Sequence, residues 1–298
     1  MKQITSQEVL VHLLKCNKYE LHHITSFLKQ YYVKKIILKS EGSTRELSIP
    51  KRKLKVIQRN ILKHILVNHP VSSVTHGWVK SKSRFSCLQG HIYHTNLITL
   101  DINNYFDSIH YSSIYKIFNI NLQFSRQIAT ILTKLTTYEH RLPQGAPTSP
   151  CLANIYLYSF DNYLSNYCKK MKVTYTRFGD DMIFSSNSDI IYIINKINFL
   201  LKQRGLKIAT QKTTISTNLT NRVPILGLIV SDSVYVPKKE RKLVEAILIN
   251  SQKTGLERQN IHQIKNFTEH IKGRVNNIIQ ISSNRKKKYL ALLNNITK

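Results

Sequence analysis

The stretch YTRFGDDMIFSS, residues 175–186, constrains this chain more than any other. VTYTRF and MIFSS are short runs rich in β-branched and aromatic residues, the pattern of two strands, and Gly179 relaxes the backbone between them. Asp180 and Asp181 therefore fall at the tip of a predicted hairpin. Neighbouring strand residues point to opposite faces, but a tight turn can aim both carboxylates at one spot. Such a pair is a hard-oxygen ligand set of the kind that takes Mg²⁺, and it is also ordinary turn chemistry. A third carboxylate changes the balance. Asp101 ends NLITLDI (96–102), an apolar run read as a buried strand, and a shared sheet would bring it against the hairpin tip. Three clustered carboxylates repel one another unless divalent cations neutralise them. Two Mg²⁺ ions, or Mn²⁺ in their place, would clamp the attacking and leaving oxygens of a phosphoryl transfer.

The rest of the chain is the opposite of acidic. Against 16 Asp and Glu stand 45 Lys and Arg, a formal charge of +29, spread as KRKLK (51–55), VKSKSR (79–84), KKMK (169–172), PKKERK (237–242) and NRKKK (284–288). A field of one sign this large exceeds what solubility requires and attracts a polyanion, a nucleic acid backbone first of all. No amphipathic Lys-rich helix with a Trp or Phe face offers itself to a membrane surface. No run approaches ~18 uninterrupted apolar residues, and MKQITSQEVLVHLL lacks an apolar core with a cleavage site, so a cytoplasmic protein is expected. Cys16, Cys87, Cys151 and Cys168 are too scattered for a zinc site or a disulfide framework and read as reduced thiols. His91 and His94, in GHIYH, lack a third ligand and are not read as a metal site.

Element by element, residues 6–32 carry a helical period, and IILKSEGSTRELSIP reads as a β-hairpin. A basic helix is expected from Pro50 to about residue 67, helices near 111–120 and 122–137, and an extended loop over RLPQGAPTSP (141–150) with Pro150 opening the next helix. After the aspartate hairpin come a helix over 188–204 and short strands near 213–217, 225–230 and 234–236. From Lys238 onward the pattern is helical and Lys-rich.

At these residues the chain resembles a known family. LDINNYFDSI (100–109), LPQGAPTSPCLANI (142–155), YTRFGDDMIFSS (175–186) and GLKIATQKTTI (205–215) occur in the order of the palm motifs of reverse transcriptases, most similar to the bacterial retron-type branch. LPQGAPTSP followed by LAN is more specific than the aspartate pair. The resemblance spans roughly residues 30–240 and implies an α+β right-hand polymerase. Fingers are expected over 1–95, a palm with an antiparallel sheet over 96–236, and a helical thumb over 237–298.

The resemblance also implies roles. Asp101 and Asp180 would bridge the metal ions, with Asp181 as a weaker ligand or electrostatic support and the Ile102 carbonyl completing one shell. Gln144 and Gly145 would lie against the incoming nucleotide. Arg45, and after it Lys39 or Lys34, would bind the triphosphate; Lys212 would protonate or hold the pyrophosphate. Asp107 is read as a helix-start or surface residue, and Trp78, the only tryptophan, as part of the fingers core. FGDD is also the signature of viral RNA-making polymerases, but Phe106, five residues after Asp101, is bulky and apolar. It would clash with a 2′-hydroxyl and leave it unpaired, so deoxynucleotides are expected as substrates and DNA as the product.

The pattern is not followed throughout. Phe178 and Gly179 replace the usual Tyr and Ala, GHIYH keeps only His94 of an Asn-Ala-x-x-His element, and Ile225-Leu226-Gly227 keeps only the Gly of Val-Thr-Gly. HGWVKSKS (76–83) resembles the family's His-Gly-Phe element, and IKGRVNNIIQIS (271–282) its thumb segment. Lys238, Lys239, Arg241, Lys272, Arg274, Arg285, Lys286, Lys287 and Lys288 are the cations expected to hold a template–primer duplex or a structured RNA stem. The expectation is an RNA-directed DNA polymerase that makes RNA-linked DNA from a structured noncoding RNA, primed from a 2′-hydroxyl. An effector partner in phage defence and the absence of a membrane partner are implied with it. The alternatives are a non-retron bacterial reverse transcriptase, such as an abortive-infection enzyme making untemplated DNA, and a catalytically silent RNA-binding scaffold.

Overall fold

The computed structural model describes residues 6–38, 42, 44–217, 222–282 and 285–294. The helical period near the N-terminus resolves into two helices, α1 (Gln7–Leu14) and α2 (Lys18–Ser26). The break is local: Lys15 turns left-handed at φ 57°, and Asn17 opens α2 with a capping box, accepting from the Glu20 amide while Glu20 accepts from its own. Strands β1 (Tyr32–Leu38) and β2 (Thr44–Pro50) form an antiparallel hairpin that pairs Ile37 with Arg45. Helix α3 (Arg52–Ile61) follows and runs on as a π-turn through Leu66. Pro50 thus closes a strand rather than opening the helix.

After the short helix α4 (Arg84–Leu88) comes strand β3 (Asn96–Asp101), then α5 (Tyr111–Lys116), α6 (Arg126–Thr136) and the 22-residue α7 (Ser149–Lys170). Ser125 caps α6, so the helix starts later than its periodicity suggests. Strands β4 (Thr174–Phe178) and β5 (Asp181–Ser186) leave Gly179 and Asp180 as the turn. Helix α8 (Ile193–Lys202) begins five residues after the expected start, because the Asp189 side chain first accepts from the Ile191 amide in a turn. With β6 (Thr214–Ser216) these strands build one antiparallel sheet in the order β4-β5-β3-β6.

Alternation along the strands divides the interior. Ile98, Leu100, Tyr175, Met182 and Phe184 face a core shared with α1, α3, α6, α7 and α8. Leu97 and Ile183 face a second core, made with Cys87 and Leu88 of α4 and with residues between Ile225 and Tyr289. The stretch 225–230, read as one strand, is instead a turn at Leu226 and Gly227 between β7 (Val223–Ile225) and β8 (Leu228–Val230), which pairs with β9 (Val234–Tyr235). Helices α9 (Lys238–Thr254), α10 (Phe267–Ile281) and α11 (Lys286–Asn294) close this second core through Val244, Leu248, Ile271, Val275, Ile278 and Tyr289. Among the described residues no helix is long and apolar enough to cross a membrane.

Between sheet and α7 lies a fully buried ion pair. Arg177 of β4 donates from Nε and Nη2 to the Asp161 carboxylate, the shortest contact being 2.6 Å. Its remaining protons go to Thr75 Oγ1, Asn154 Oδ1, the Tyr105 hydroxyl and the Gly179 carbonyl. The Asp161 charge beside it keeps Arg177 protonated despite burial. Removing one member of such a pair strands the other's charge in the interior. Asp161→Ala is expected to lower unfolding free energy by about 3–5 kcal/mol in urea titration, and Asp161→Asn by less.

Candidate active site

The antiparallel register sets Asp101 directly opposite Asp181. Paired residues share a face, and by alternation this is the face of Leu97 and Ile183, away from Arg177. Asp180 occupies the turn, and its carbonyl accepts from the Ile102 amide at 3.1 Å, which locks the end of β3 to the hairpin tip. Gly179 takes φ 69°, a left-handed conformation that a side chain would strain. The structure thus brings together Asp101, Ile102 and Asp180 on one cavity of about 330 Å³, with Asp181 beside them. Arg45, Trp78, Phe106, Asp107, Gln144 and Lys212 also line this cavity.

Burial raises the Asp180 carboxyl above its ordinary range, and the Asp101 charge raises it further. Asp181 is pushed up to about 7, by burial first and then by Asp180 and Asp101. Lys212, in a 3₁₀ turn, donates to Asp101 Oδ2 at 2.9 Å. An ammonium therefore occupies one side of the site, whose hard carboxylate oxygens are of the type a divalent cation takes, although among the described residues no group of three or more His, Cys, Asp or Glu is placed to hold one. Lys212 is held there by the backbone, since the Ala209 amide donates to the Asp101 carbonyl at 2.8 Å.

The proline loop packs against the N-terminal hairpin. The Ser48 amide donates to the Gln144 carbonyl at 2.8 Å, and Gly145 has φ 122°, with the Ser48 carbonyl 3.2 Å from where a Cβ would stand. Gln144 and Gly145 therefore line, together with Arg45, a second cavity beside the first, and of the two only Gln144 also lines the first. Asp107 does not start a helix, because His110 caps α5. It is exposed, as the surface reading expects, and lies at the cavity wall, accepting from Gln144 Nε2 at 3.4 Å.

Other expected positions have different partners. Lys34 pairs at the surface with Glu46 and Glu139, and Lys39 lies outside the described residues. Arg274 makes a bidentate pair with Glu240 at 2.7 and 2.6 Å. Arg241 donates to the Val236 carbonyl, Lys272 pairs with Glu269, and Lys288 with Glu245. Lys238, Lys239, Arg285, Lys286 and Lys287 are exposed. His91 is buried between Ser185 and Thr176, and burial lowers it to about 3.

Trp78 corrects the expectation of a core residue. Its side chain is 49% exposed, and its ring lies over Gly179 and 5.5 Å from the Phe106 ring centroid. The cause is the backbone before it. Arg177 exchanges hydrogen bonds with Val74 and His76, as an added edge strand would, and the Gly77 carbonyl accepts from Asn154. A Cβ on Gly77 would stand 2.3 Å from the Gly179 nitrogen. The supporting residues Tyr105, Asn154, Asp161 and Arg177 escaped the reading of the sequence. One signal was available: Asn154 and Asp161, seven apart, put two polar groups on one buried face of α7.

Similarity to known proteins agrees with this arrangement. Residues 37–287 match the family described as reverse transcriptase (RNA-dependent DNA polymerase). The retron Ec86 reverse transcriptase of Escherichia coli is 28% identical over 265 residues, 87% of this chain and 78% of that protein. The retron Se72 reverse transcriptase of Salmonella heidelberg is 28% identical over 78% of this chain, and the retron Mx65 reverse transcriptase of Myxococcus xanthus 27% over 74%. The chain spans 63% and 56% of those two proteins. In fold it is similar to the Candida tropicalis telomerase solved with a fragment of telomeric RNA, with a TM-score of 0.53 at 13% identity over 91% of this chain and 58% of that one.

Two outcomes follow from the geometry. Gly77→Ala is expected to push the hairpin tip away and to cost activity at least tenfold, read by primer extension alongside a melting curve. The raised Asp181 carboxyl keeps a proton that the unfolded chain has released. The stability tied to that proton is present below about pH 4 and is lost as pH rises through about 7. Between pH 5 and 8 the melting temperature of wild type should therefore fall relative to Asp181→Asn, and millimolar Mg²⁺ should remove the difference.

Proposed function

This chain belongs to the reverse transcriptase family of RNA-directed DNA polymerases, with retron enzymes among its relatives, and on that premise we propose that it copies a structured noncoding RNA into DNA. The observation that carries this reading is Asp101 in register with Asp181, with Asp180 at the adjoining tip, facing a cavity walled by Phe106. Asp101, Asp180, Asp181 and the Ile102 carbonyl are the groups that would hold Mg²⁺. When bound, the metal supplies Lewis-acid stabilisation of the oxygens at the reacting phosphorus.

The chain's own residues do the rest. Arg45 and Lys212 line the cavity as cations for a triphosphate, Gln144 lines it with them, and Gly145 lies in the adjoining cavity that Arg45 and Gln144 share. Lys212 gives up its Asp101 contact to hold or protonate the departing pyrophosphate. Phe106 blocks a 2′-hydroxyl, so deoxynucleoside triphosphates are the substrates. The N-terminal hairpin and helices act as fingers, the four-stranded sheet with its helices as the palm, and α9 to α11 as the thumb. The exposed Lys238, Lys239, Arg285, Lys286 and Lys287 line the path of RNA stem and duplex. The primer is a 2′-hydroxyl of the same RNA, the RNA–DNA product stays bound, and the enzyme works in the cytoplasm with an effector in phage defence.

The test is expression with about a kilobase of native flanking DNA, followed by nuclease digestion of the copurified nucleic acid. A discrete DNA joined to RNA is expected with wild type and absent from Asp180→Asn/Asp181→Asn. RNA alone in both samples would instead mark a scaffold, and heterogeneous or protein-attached DNA a non-retron polymerase. In purified enzyme, Phe106→Ala should narrow the preference for deoxy- over ribonucleotides by roughly tenfold to 200-fold, read by single-nucleotide incorporation.

A further inference from the structure

Trp78 and Gly179 compete for one volume. An ideal Cβ on residue 179 would stand 2.9 Å from Trp78 Cη2, closer than real Cβ contacts come, and a tight 3.2 Å from Cζ3. Trp78 itself sits at φ 57°, a conformation that a bulky residue adopts only when its surroundings impose it. Here the His76 amide bonded to the Arg177 carbonyl, and the Gly77 carbonyl bonded to Asn154, impose it. Both positions also depart from the pattern the sequence resembles, and in opposite directions of volume: Trp replaces Phe at 78, and Gly replaces Ala at 179.

The exposed part of the ring faces the polymerase cleft. Trp78 lines the cavity that holds Asp101, Asp180 and Lys212, and also a second cavity of about 330 Å³ with Lys55, Arg59 and the proline loop. Arg45, Trp78, Phe106 and Gln144 are common to both. An indole left half-exposed between the cavity of Asp101 and Asp180 and a cationic one with Arg45, Lys55 and Arg59, tilted 47° to a neighbouring phenyl ring, is a surface on which a nucleotide's flat and apolar parts pack.

We propose that Trp78 is a nucleotide-contacting specificity residue of this enzyme. It supplies from outside the aspartate hairpin the apolar wall that a side chain at 179 would otherwise present, and with Phe106 it packs on the sugar and base of the incoming deoxynucleotide. The inference rests on the polymerase reading above. Its consequence is that residues 78 and 179 are coupled, one large only because the other has no side chain.

The experiment is a double-mutant cycle on Trp78→Ala and Gly179→Ala, with Trp78→Phe as the milder variant. Steady-state incorporation of one deoxynucleotide on a supplied RNA template and DNA primer is followed alongside thermal melting. The backbone strain of alanine at φ 69° is present in both backgrounds and cancels. Gly179→Ala should lower kcat/KM by on the order of tenfold to a hundredfold beside Trp78, and by less than about threefold in the Trp78→Ala background. Trp78→Ala alone should raise KM for the deoxynucleotide more than it lowers kcat, and should reduce discrimination against ribonucleotides by roughly tenfold. A ring that merely fills space would cost stability and leave both ratios unchanged. If Trp78→Ala folds poorly, Trp78→Phe is read in its place, with smaller changes of the same sign. Equal cost of Gly179→Ala in both backgrounds, or an unchanged KM and nucleotide preference, would overturn the proposal. A wild type that extends no primer would count against the polymerase reading instead, and the steric coupling would still be decided by the melting temperatures of the four proteins.

Discussion

The buried pair of Arg177 and Asp161 is the interaction on which the rest of the site depends. Two charges taken out of water cost more than their mutual attraction returns unless their remaining valences are met, and here they are met by Thr75, Tyr105, Asn154, Tyr175 and the Gly179 carbonyl. An apolar pair of similar volume would hold β4 to α7 about as firmly. It would not fix the direction of the Gly179 carbonyl, and that direction sets the turn carrying Asp180. The same guanidinium, through Thr75, also anchors the segment that delivers Gly77 and Trp78 to the hairpin tip. One side chain thereby ties together the turn carrying Asp180, the long helix and the segment bearing Trp78.

On the opposite face of the sheet the electrostatic problem is reversed. Arg177 has its counter-charge, whereas the three aspartates have Lys212 alone within hydrogen-bonding reach among the described residues, and burial with mutual repulsion raises Asp180 and Asp181. Carboxylates gathered at one point, in a chain of formal charge +29, are a local exception to the sign of the whole. A wide positive field of this kind attracts a polyanion, while a small group of carboxylates is where a cation would be accepted. Several of the basic residues after β9 serve the fold instead. Arg274, Lys272 and Lys288 are engaged by carboxylates of the same helical region, so the count of cations overstates those left for nucleic acid.

Much of the site was legible because its signals are local. Strand alternation around Gly179, the apolar run ending at Asp101 and the proline loop are each set by residues within about ten positions, and each appears where the pattern put it. The errors arise where a distant residue decides. Trp78 reads as core by its size, but the close approach of Gly77 to Gly179 turns its ring into the cleft. The partners of Lys34 are likewise set at a distance, by Glu46 across the hairpin and Glu139 from a separate loop. The run 225–230 reads as one strand because Leu226 is apolar, and only the paired Ile225 and Leu228 reveal the turn.

By itself the sequence determined the elements, the order of the motifs, the three carboxylates and the basic field, since periodicity, turn chemistry and charge are properties of short stretches and sums. Only the tertiary structure decided the register that faces Asp101 with Asp181, the pairing of Arg177 with Asp161 across 16 residues, and the contest of Trp78 and Gly179 for one volume. Those depend on packing between segments up to a hundred residues apart, where shape rather than residue type selects the neighbour.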